Sequence, residues 1–199
     1  MEVLFVLFSY LLGSIPTGLL LTKAFSKQDP RRIGSQNIGA TNIYRAAGKA
    51  LALMTLAGDS LKGFIPVSLA MASHLSELWV SLAAIAAFLG HLYPVFLSFK
   101  GGKGVATALG IFIAISPLAV LIDFFLFAGV LATWRIVSLG SLSAASFMPI
   151  LLWMLTGSTT YVMMSICIGV LIFYRHRANI QRLIAGQENR IELRLRKGS

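Results

Sequence analysis

The sequence predicts an all-α integral membrane protein with about seven transmembrane helices. Of its 199 residues, 57% are hydrophobic and only 12% are charged, and the mean hydropathy is +0.81. This composition is typical of a chain built from membrane-spanning helices and excludes an ordinary soluble domain. The net charge is +10, but the charges lie between the apolar segments, which argues against a nucleic-acid-binding protein. A single cysteine, Cys167, excludes a disulfide framework.

Seven apolar segments are candidate spans, since a spanning helix needs roughly 20 apolar residues. They cover residues 3–25, 50–73, 78–98, 104–116, 117–134, 137–155 and 159–175. Pro16 predicts a packing kink in the first segment. The fourth segment is short, and Ser116-Pro117 makes it either a separate helix or one half of a long kinked helix with the fifth. We treat residues 1–196 as one transmembrane domain and residues 197–199 as a possible remnant of an expression tag.

The distribution of positive charge predicts the orientation. The connections at residues 23–49, 99–103 and 135, with the tail from residue 175, contain 16 of the 17 Lys and Arg residues, and the opposite connections contain none. Because Lys and Arg are enriched in cytoplasmic connections, these four regions are predicted to face the cytoplasm. With seven spans, the N-terminus lies outside and the C-terminus lies in the cytoplasm.

A run of lysine and glycine precedes the apolar segment that begins at Val105, and it consists of Lys100, Gly101, Gly102, Lys103 and Gly104. Glycines let the backbone approach a ligand closely, and a helix N-terminus favours an anion. The run therefore indicates a phosphate-bearing substrate that is handled at the membrane surface. The alternative is a flexible basic loop that only marks the cytoplasmic edge of the membrane.

The first cytoplasmic connection is dense in small polar residues, namely Ser35, Asn37, Thr41 and Asn42, and it ends with Arg45. Hydroxyl and amide groups donate to anions without bulk, and the planar guanidinium of arginine suits a phosphate or a carboxylate. This density favours a binding role. The alternative is a polar turn in which asparagine and glycine act as caps.

A third polar cluster follows the last span. If this region is helical, His176 and Asn179 share one face and Arg182 follows on it. Glu188 is predicted to brace a basic residue. Arg175 and Arg177 are interpreted more simply, as anchors for anionic lipid headgroups.

Several ionisable residues lie within or beside the spans. Asp59 and Lys62 are three residues apart and are predicted to form a structural ion pair. His91 is expected to support the lysine-glycine run from the end of the third span. Asp123 needs a partner that the sequence does not identify, and Glu77 is predicted to be solvated in an outer connection.

The three cytoplasmic stretches resemble the motifs of the bacterial membrane glycerol-3-phosphate acyltransferases that use acyl-phosphate as donor. The first motif, Gly-Ser-x-Asn-x-Gly-Ala-Thr-Asn with a following arginine, corresponds to residues 34–42 and Arg45. The second, Lys-Gly-Gly-Lys-x-Val-Ala-Thr, corresponds to residues 100–107. The third, His-Arg-x-Asn-Ile with a downstream Gly-x-Glu, corresponds to residues 176–180 and 186–188. The resemblance covers essentially the whole chain.

The resemblance implies a seven-helix enzyme of the bacterial inner membrane with its active site on the cytoplasmic side. The implied reaction transfers a fatty acyl group from acyl-phosphate to the 1-hydroxyl of glycerol-3-phosphate. It yields lysophosphatidic acid and phosphate, the first step of phospholipid synthesis. No metal or bound cofactor is expected. The expected partners are both substrates, membrane lipid and the soluble enzyme that makes acyl-phosphate.

The chemistry suggests roles for individual residues. Ser35, Arg45, Lys103 and Asn179 are candidates for holding the phosphate of glycerol-3-phosphate, and the backbone N–H groups of residues 101–104 are candidate donors to the oxyanion. His176 is the best candidate base, although it could instead bind acyl-phosphate while a substrate phosphate accepts the proton. Because no serine or cysteine is paired with a base, we expect direct transfer.

Two other classes of function are considered. A transporter of small organic phosphates would also use basic connections and intramembrane charges such as Asp59 and Lys62. The absence of a polar cluster on the outer side argues against it, because transporters bind substrate near the midplane. A structural protein that binds anionic lipid would not need three separate polar motifs.

Overall fold

The computed structural model describes residues 2–26 and 28–191, so the predicted tag remnant at residues 197–199 lies outside the described part. Within it, the regular structure is entirely helical, as predicted. The ten α-helices are α1 (Glu2–Gly13), α2 (Thr17–Phe25), α3 (Ala40–Ala47), α4 (Lys49–Ala72), α5 (Glu77–Leu92), α6 (Val105–Ile115), α7 (Pro117–Trp134), α8 (Val137–Thr156), α9 (Thr159–Arg175) and α10 (Arg177–Ile184). Short 3-10 turns occupy Pro30–Arg32 and Val95–Leu97.

The predicted spans correspond to helices with some differences in their ends. The first span is broken between α1 and α2, since Pro16 has no backbone N–H to continue the helix. The helix of the third predicted span, α5, ends at Leu92, six residues before its predicted end, and a turn over Val95–Leu97 follows. Ser116 has a non-helical backbone and its hydroxyl accepts a hydrogen bond from the N–H of Ala119, so α6 and α7 are two separate helices.

Five helical segments of the described chain are long and apolar enough to cross a membrane, and the number rises to six if α9 and α10, bent by 63°, count as one. The helix α6 has only 11 residues, which corresponds to roughly 16 Å of helix and is too short to span. Seven spans and the orientation therefore stay predictions.

A core between the helices holds the bundle together. Fully buried side chains from four helices meet there, among them Phe88 of α5, Ile111 of α6, Leu152 of α8 and Ile168 of α9. Large apolar residues also remain on the outside, including Phe125, Met154 and Val170. Such a surface is unfavourable in water and suits contact with lipid tails.

The end of the described chain folds back onto the bundle. The N–H of Ile191 donates to the carbonyl of Arg135, and Ser138 donates to Glu188 at 2.8 Å. The C-terminal segment thus places Glu188 in contact with the start of α8. At the opposite end of α9, Glu77 is exposed as predicted, and in addition it accepts a hydrogen bond from Ser158 at 2.6 Å.

Candidate active site

The three predicted motifs meet around one cavity of about 310 Å³. This volume lies at the lower end of the range for small-molecule sites. The predicted site residues that line it are Ser35, Asn37, Thr41, Asn42, Arg45, Lys103, Gly104, His176, Asn179 and Glu188. Lys100, Gly101 and Gly102 do not line the cavity that the described residues enclose. Leu56 and Phe127 add an apolar portion to the wall.

The first turns of four helices border this cavity. Residues 40 and 41 begin α3, residues 105 and 106 begin α6, residues 137 and 138 begin α8, and residue 179 lies in the first turn of α10. The free N–H groups and the dipole at a helix N-terminus attract anions. With Arg45, Lys103 and Arg182 in the same wall, the cavity is suited to more than one negatively charged group.

The two central glycines of the lysine-glycine run pack against α5. The N–H of Gly101 donates to the carbonyl of Leu92, and that of Gly102 donates to the carbonyl of His91. A Cβ on Gly101 would lie 2.1 Å from the His91 carbonyl oxygen, and one on Gly102 would lie 2.2 Å from His91 Nε2. Glycine at both positions therefore allows the lysine-glycine run to pack closely against α5. Because the N–H groups of Gly101 and Gly102 are already hydrogen-bonded, only those of Lys103 and Gly104 remain as candidate oxyanion donors.

Arg175 binds the carbonyl groups of the same two glycines. Its Nε donates to the carbonyl of Gly102 at 2.9 Å and its Nη2 to that of Gly101 at 2.6 Å. The guanidinium also lies over the ring of Tyr93, 5.7 Å from the centroid. The interpretation of Arg175 as a lipid anchor is therefore corrected: it fixes the loop that carries Lys103. Sequence reasoning missed this because backbone carbonyls leave no signature in the sequence.

We expect Arg175→Lys to lower kcat/KM about tenfold, because a lysine cannot reproduce two parallel hydrogen bonds to adjacent carbonyls. The matched control is Arg177→Lys. Arg177 is exposed and stacks on Tyr174 at 4.9 Å, so its replacement should change kcat/KM less than twofold. Steady-state kinetics of both purified variants test this. Equal rates for Arg175→Lys and the unaltered protein would contradict the role.

Lys103 begins a chain of polar contacts that crosses the cavity wall. Its Nζ donates to Asn179 Oδ1 at 2.6 Å, and Asn179 Nδ2 donates to Glu188 Oε1 at 2.5 Å. Arg182 Nε donates to Glu188 Oε2 at 2.7 Å, which confirms that Glu188 braces a basic residue. Ser138, which sequence reasoning did not single out, donates to the same carboxylate.

The same contacts change the ionisation of these groups. Burial lowers the pKa of Lys103 to about 8, the carboxylate of Glu188 opposes this shift, and the charges of Arg182, Arg45 and Arg175 add to it. Burial alone would raise the pKa of Glu188, but hydrogen bonds from Asn179, Arg182 and Ser138 outweigh it and leave the pKa lowered. Near neutral pH the lysine carries most of its charge, and it loses that charge in a mildly alkaline range.

His176 lies at the junction of α9 and α10 and is 3% exposed. Its Nδ1 is 2.8 Å from the carbonyl oxygen of Ile172, and since a carbonyl only accepts, Nδ1 carries the proton. Burial, with the charge of Lys103, lowers the pKa of His176 to about 4. The imidazole is therefore neutral at pH 7 and Nε2 retains a lone pair.

The first cytoplasmic connection is braced by Asn42, which is 2% exposed. Its Oδ1 accepts from the N–H of Ser35, and its Nδ2 donates to the carbonyls of Pro30 and Asn37. The amide group is thus used within the loop, and Asn42 acts by shaping the cavity wall. Asn37 Oδ1 accepts from the N–H of Gly39 at 2.9 Å. Ser35, Thr41 and Arg45 remain the side chains of this loop that suit substrate binding.

The predicted ion pair in α4 is present. Lys62 Nζ lies 2.9 Å from Asp59 Oδ1, and both side chains are almost fully buried. Lys62 also donates to the carbonyl of Ile15 at 2.9 Å, beside the break in the first span. Asp59 and His91 both line the cavity. Asp123 is buried in α7, and its Oδ1 has no hydrogen-bond partner among the described residues.

Comparisons with known sequences assign the family. The family model described as glycerol-3-phosphate acyltransferase matches residues 3–186. The chain is 53% identical over 188 residues to the glycerol-3-phosphate acyltransferase of Geotalea daltonii, covering 94% of this chain and 96% of that protein. It is 54% identical over 191 residues to that of Geobacter metallireducens, covering 96% and 98%.

Two solved structures have the same fold. The crystal structure of PlsY (YgiH), an integral membrane glycerol 3-phosphate acyltransferase, in its glycerol 3-phosphate form, has a TM-score of 0.92 and 43% identity and covers 96% of each chain. Its lysophosphatidic acid form has a TM-score of 0.90 and 42% identity, covering 96% of this chain and 95% of that one. The predicted all-α integral membrane fold is confirmed. The chain belongs to the glycerol-3-phosphate acyltransferase family and is a multi-pass membrane enzyme.

Proposed function

We propose that this enzyme transfers a fatty acyl group from acyl-phosphate to the 1-hydroxyl of glycerol-3-phosphate. The products are lysophosphatidic acid and inorganic phosphate. The related PlsY structures in glycerol 3-phosphate and lysophosphatidic acid forms support the acceptor and the product. The reaction takes place at the cytoplasmic face of a bacterial inner membrane, the side toward which the basic connections are predicted to face. A soluble enzyme that makes acyl-phosphate supplies the donor.

The observation that carries this proposal is the positive character of the cavity. Arg45, Lys103 and Arg182 line it together with the starts of four helices. Acyl-phosphate and glycerol-3-phosphate each bring a phosphate, so two anions must be held within one small volume. A thioester donor has no phosphate at its carbonyl carbon and would use fewer of these anion-binding groups.

The proposed transfer is direct, with no acyl-enzyme, and proceeds by addition followed by loss of phosphate. The oxygen of the 1-hydroxyl bonds to the carbonyl carbon of acyl-phosphate. The bond between that carbon and the bridging phosphate oxygen then breaks, and phosphate leaves with the electron pair. In this proposal the N–H groups of Lys103 and Gly104, at the start of α6, stabilise the negative charge that develops on the carbonyl oxygen, a contribution of roughly 3–4 kcal/mol for each donor.

His176 accepts the hydroxyl proton at Nε2. The hydrogen bond from Nδ1 to Ile172 holds the ring in the tautomer that this role requires. The low pKa makes the imidazole a weak base before the substrates bind, and two bound phosphates offset the Lys103 charge that helps to lower it. A weak base suffices because phosphate is already a good leaving group. The runner-up acceptor is a substrate phosphate, whose second pKa is about 6.

A donor comparison tests the reaction class. Purified protein receives labelled glycerol-3-phosphate with acyl-phosphate, acyl-coenzyme A or acyl-carrier protein, each alone. We expect labelled lysophosphatidic acid and an equal amount of released phosphate with acyl-phosphate only. Product from either thioester would contradict the donor assignment. Absence of product with every donor, together with uptake of glycerol-3-phosphate into proteoliposomes, would indicate a phosphate transporter instead.

A further inference from the structure

A carboxylate lies in the wall of a cavity that is otherwise suited to anions. Asp59 of α4 is 3% exposed and lines the cavity together with Arg45 and Lys103. Lys62 balances the charge of this carboxylate, but a carboxylate oxygen in the wall can only accept hydrogen bonds, so it suits a donor group of a ligand and not a phosphate oxygen. The other carboxylate in the wall, Glu188, has both oxygens engaged by Ser138, Asn179 and Arg182.

The two oxygens of Asp59 have different surroundings. Oδ1 accepts a hydrogen bond from Thr17, lies 2.9 Å from Lys62 Nζ and lies 3.7 Å from His91 Nδ1. Oδ2 receives no hydrogen bond from any residue in the part of the chain that the structure describes. Since Oδ2 is not among the fully buried unpaired side-chain atoms of the described residues, it keeps access to the cavity that Asp59 lines. Asp59 therefore has one oxygen that is held by the protein and one that is available to a ligand.

The position of this carboxylate is well defined. Lys62 contacts Asp59 and also donates to the carbonyl of Ile15, which lies at the break between α1 and α2. Thr17, at the start of α2, donates a hydrogen bond to Oδ1, the oxygen that Lys62 also contacts. The side chain is thus held from two helices, and the available oxygen is presented to the cavity in a fixed place, as selective recognition requires.

The chemistry of the substrates identifies what this oxygen binds. A phosphate dianion has acceptors only, and so does the acyl-phosphate group. Glycerol-3-phosphate also carries two hydroxyls, of which the 1-hydroxyl reacts and the 2-hydroxyl is a free donor. Building on the proposed function, we propose that Asp59 Oδ2 accepts a hydrogen bond from the 2-hydroxyl of glycerol-3-phosphate and makes the site selective for an alcohol at that carbon.

This contact distinguishes glycerol-3-phosphate from two molecules of nearly the same shape. Dihydroxyacetone phosphate has a carbonyl at the second carbon, which cannot donate and whose oxygen is repelled by a carboxylate. Propane-1,3-diol monophosphate has no oxygen there, so Oδ2 is buried without a partner. A site that binds a substrate hydroxyl with a buried polar group rejects analogues that lack it far more strongly than a merely apolar site does.

The first test uses the unaltered protein with acyl-phosphate and each of the three acceptors. We expect kcat/KM for glycerol-3-phosphate to exceed that for either analogue by at least about 100-fold. Equal use of propane-1,3-diol monophosphate would overturn the proposal. If glycerol-3-phosphate itself is not acylated, the proposed function fails, and that outcome is distinct from a loss of selectivity.

The second test removes the carboxylate without leaving a lone buried charge. The double variant Asp59→Leu with Lys62→Met replaces the ion pair by apolar side chains of similar size, a change that buried pairs often tolerate. We expect the preference over both analogues to fall below about tenfold. The control is Asp123→Leu, which removes a buried carboxylate of α7 that does not line the cavity enclosed by the described residues and should retain the preference. Retained selectivity in the double variant would contradict the assignment, and if that variant does not fold, the three-substrate comparison still decides.

Discussion

Replacing Lys103 by alanine is expected to lower kcat/KM for glycerol-3-phosphate by roughly 10²–10³, mainly through a higher KM. Removing one partner of a fully buried, charge-assisted contact costs roughly 2–5 kcal/mol, and the partly buried Lys103 falls in the lower part of that range. Lys103 is also bound to Asn179 at 2.6 Å, so the variant leaves that amide without its donor. Initial rates over a range of glycerol-3-phosphate concentrations measure the effect.

The matched comparison is Lys100→Ala. Lys100 belongs to the same run, but it is exposed and does not line the cavity enclosed by the described residues. We expect the loss in kcat/KM for Lys103→Ala to exceed that for Lys100→Ala by at least tenfold. If the two variants lose the same amount, the run acts only as a source of positive charge at the membrane surface.

The pH dependence tests the same residue. Because the pKa of Lys103 is lowered to about 8, the free enzyme loses this positive charge as the pH rises through 8. kcat/KM reports the free enzyme, so it should decline above that pH. Lys103→Arg should lack the decline, since a guanidinium stays charged. A decline that persists unchanged in Lys103→Arg would assign it to another group.

Replacing His176 by asparagine is expected to lower kcat by about 10²–10⁴, the usual contribution of a positioned proton acceptor. Asparagine keeps an N–H at the place of Nδ1 and so retains the hydrogen bond to Ile172, but it has no group at the place of Nε2. The variant therefore separates proton transfer from the structural role of the side chain. Saturating initial rates and thermal unfolding midpoints of the purified protein provide the measurement.

His176→Gln serves as the control, because it offers an acceptor oxygen near the place of Nε2 that can orient the hydroxyl but takes up a proton poorly. We expect an intermediate rate. If His176→Asn keeps near-full kcat with an unchanged KM, the proton goes to a substrate phosphate and His176 has no part in the chemistry.

Much of the site could be predicted from the sequence because its chemistry lies in short local motifs. The charge of each connection predicted which stretches face the same side, and ten of the predicted site residues line one cavity. The helices were recognisable from the length of their apolar runs, since a span needs a fixed number of residues. Asp59 and Lys62 were paired correctly because neighbours on one helical turn are set by local geometry.

The tertiary structure decided which polar groups of the site bind each other. Lys103 and Asn179 are 76 positions apart, and Arg175 binds carbonyls 73 and 74 positions away. Such partners depend on how α5, α6, α9 and α10 pack. The same packing engaged the N–H groups of Gly101 and Gly102. Composition and periodicity thus determined the membrane fold and the kinds of groups at the site. Only the long-range packing decided which polar groups are hydrogen-bonded within the protein and which remain free to bind substrate. The reason is that each buried donor or acceptor needs a partner nearby in space, whatever its position in the sequence.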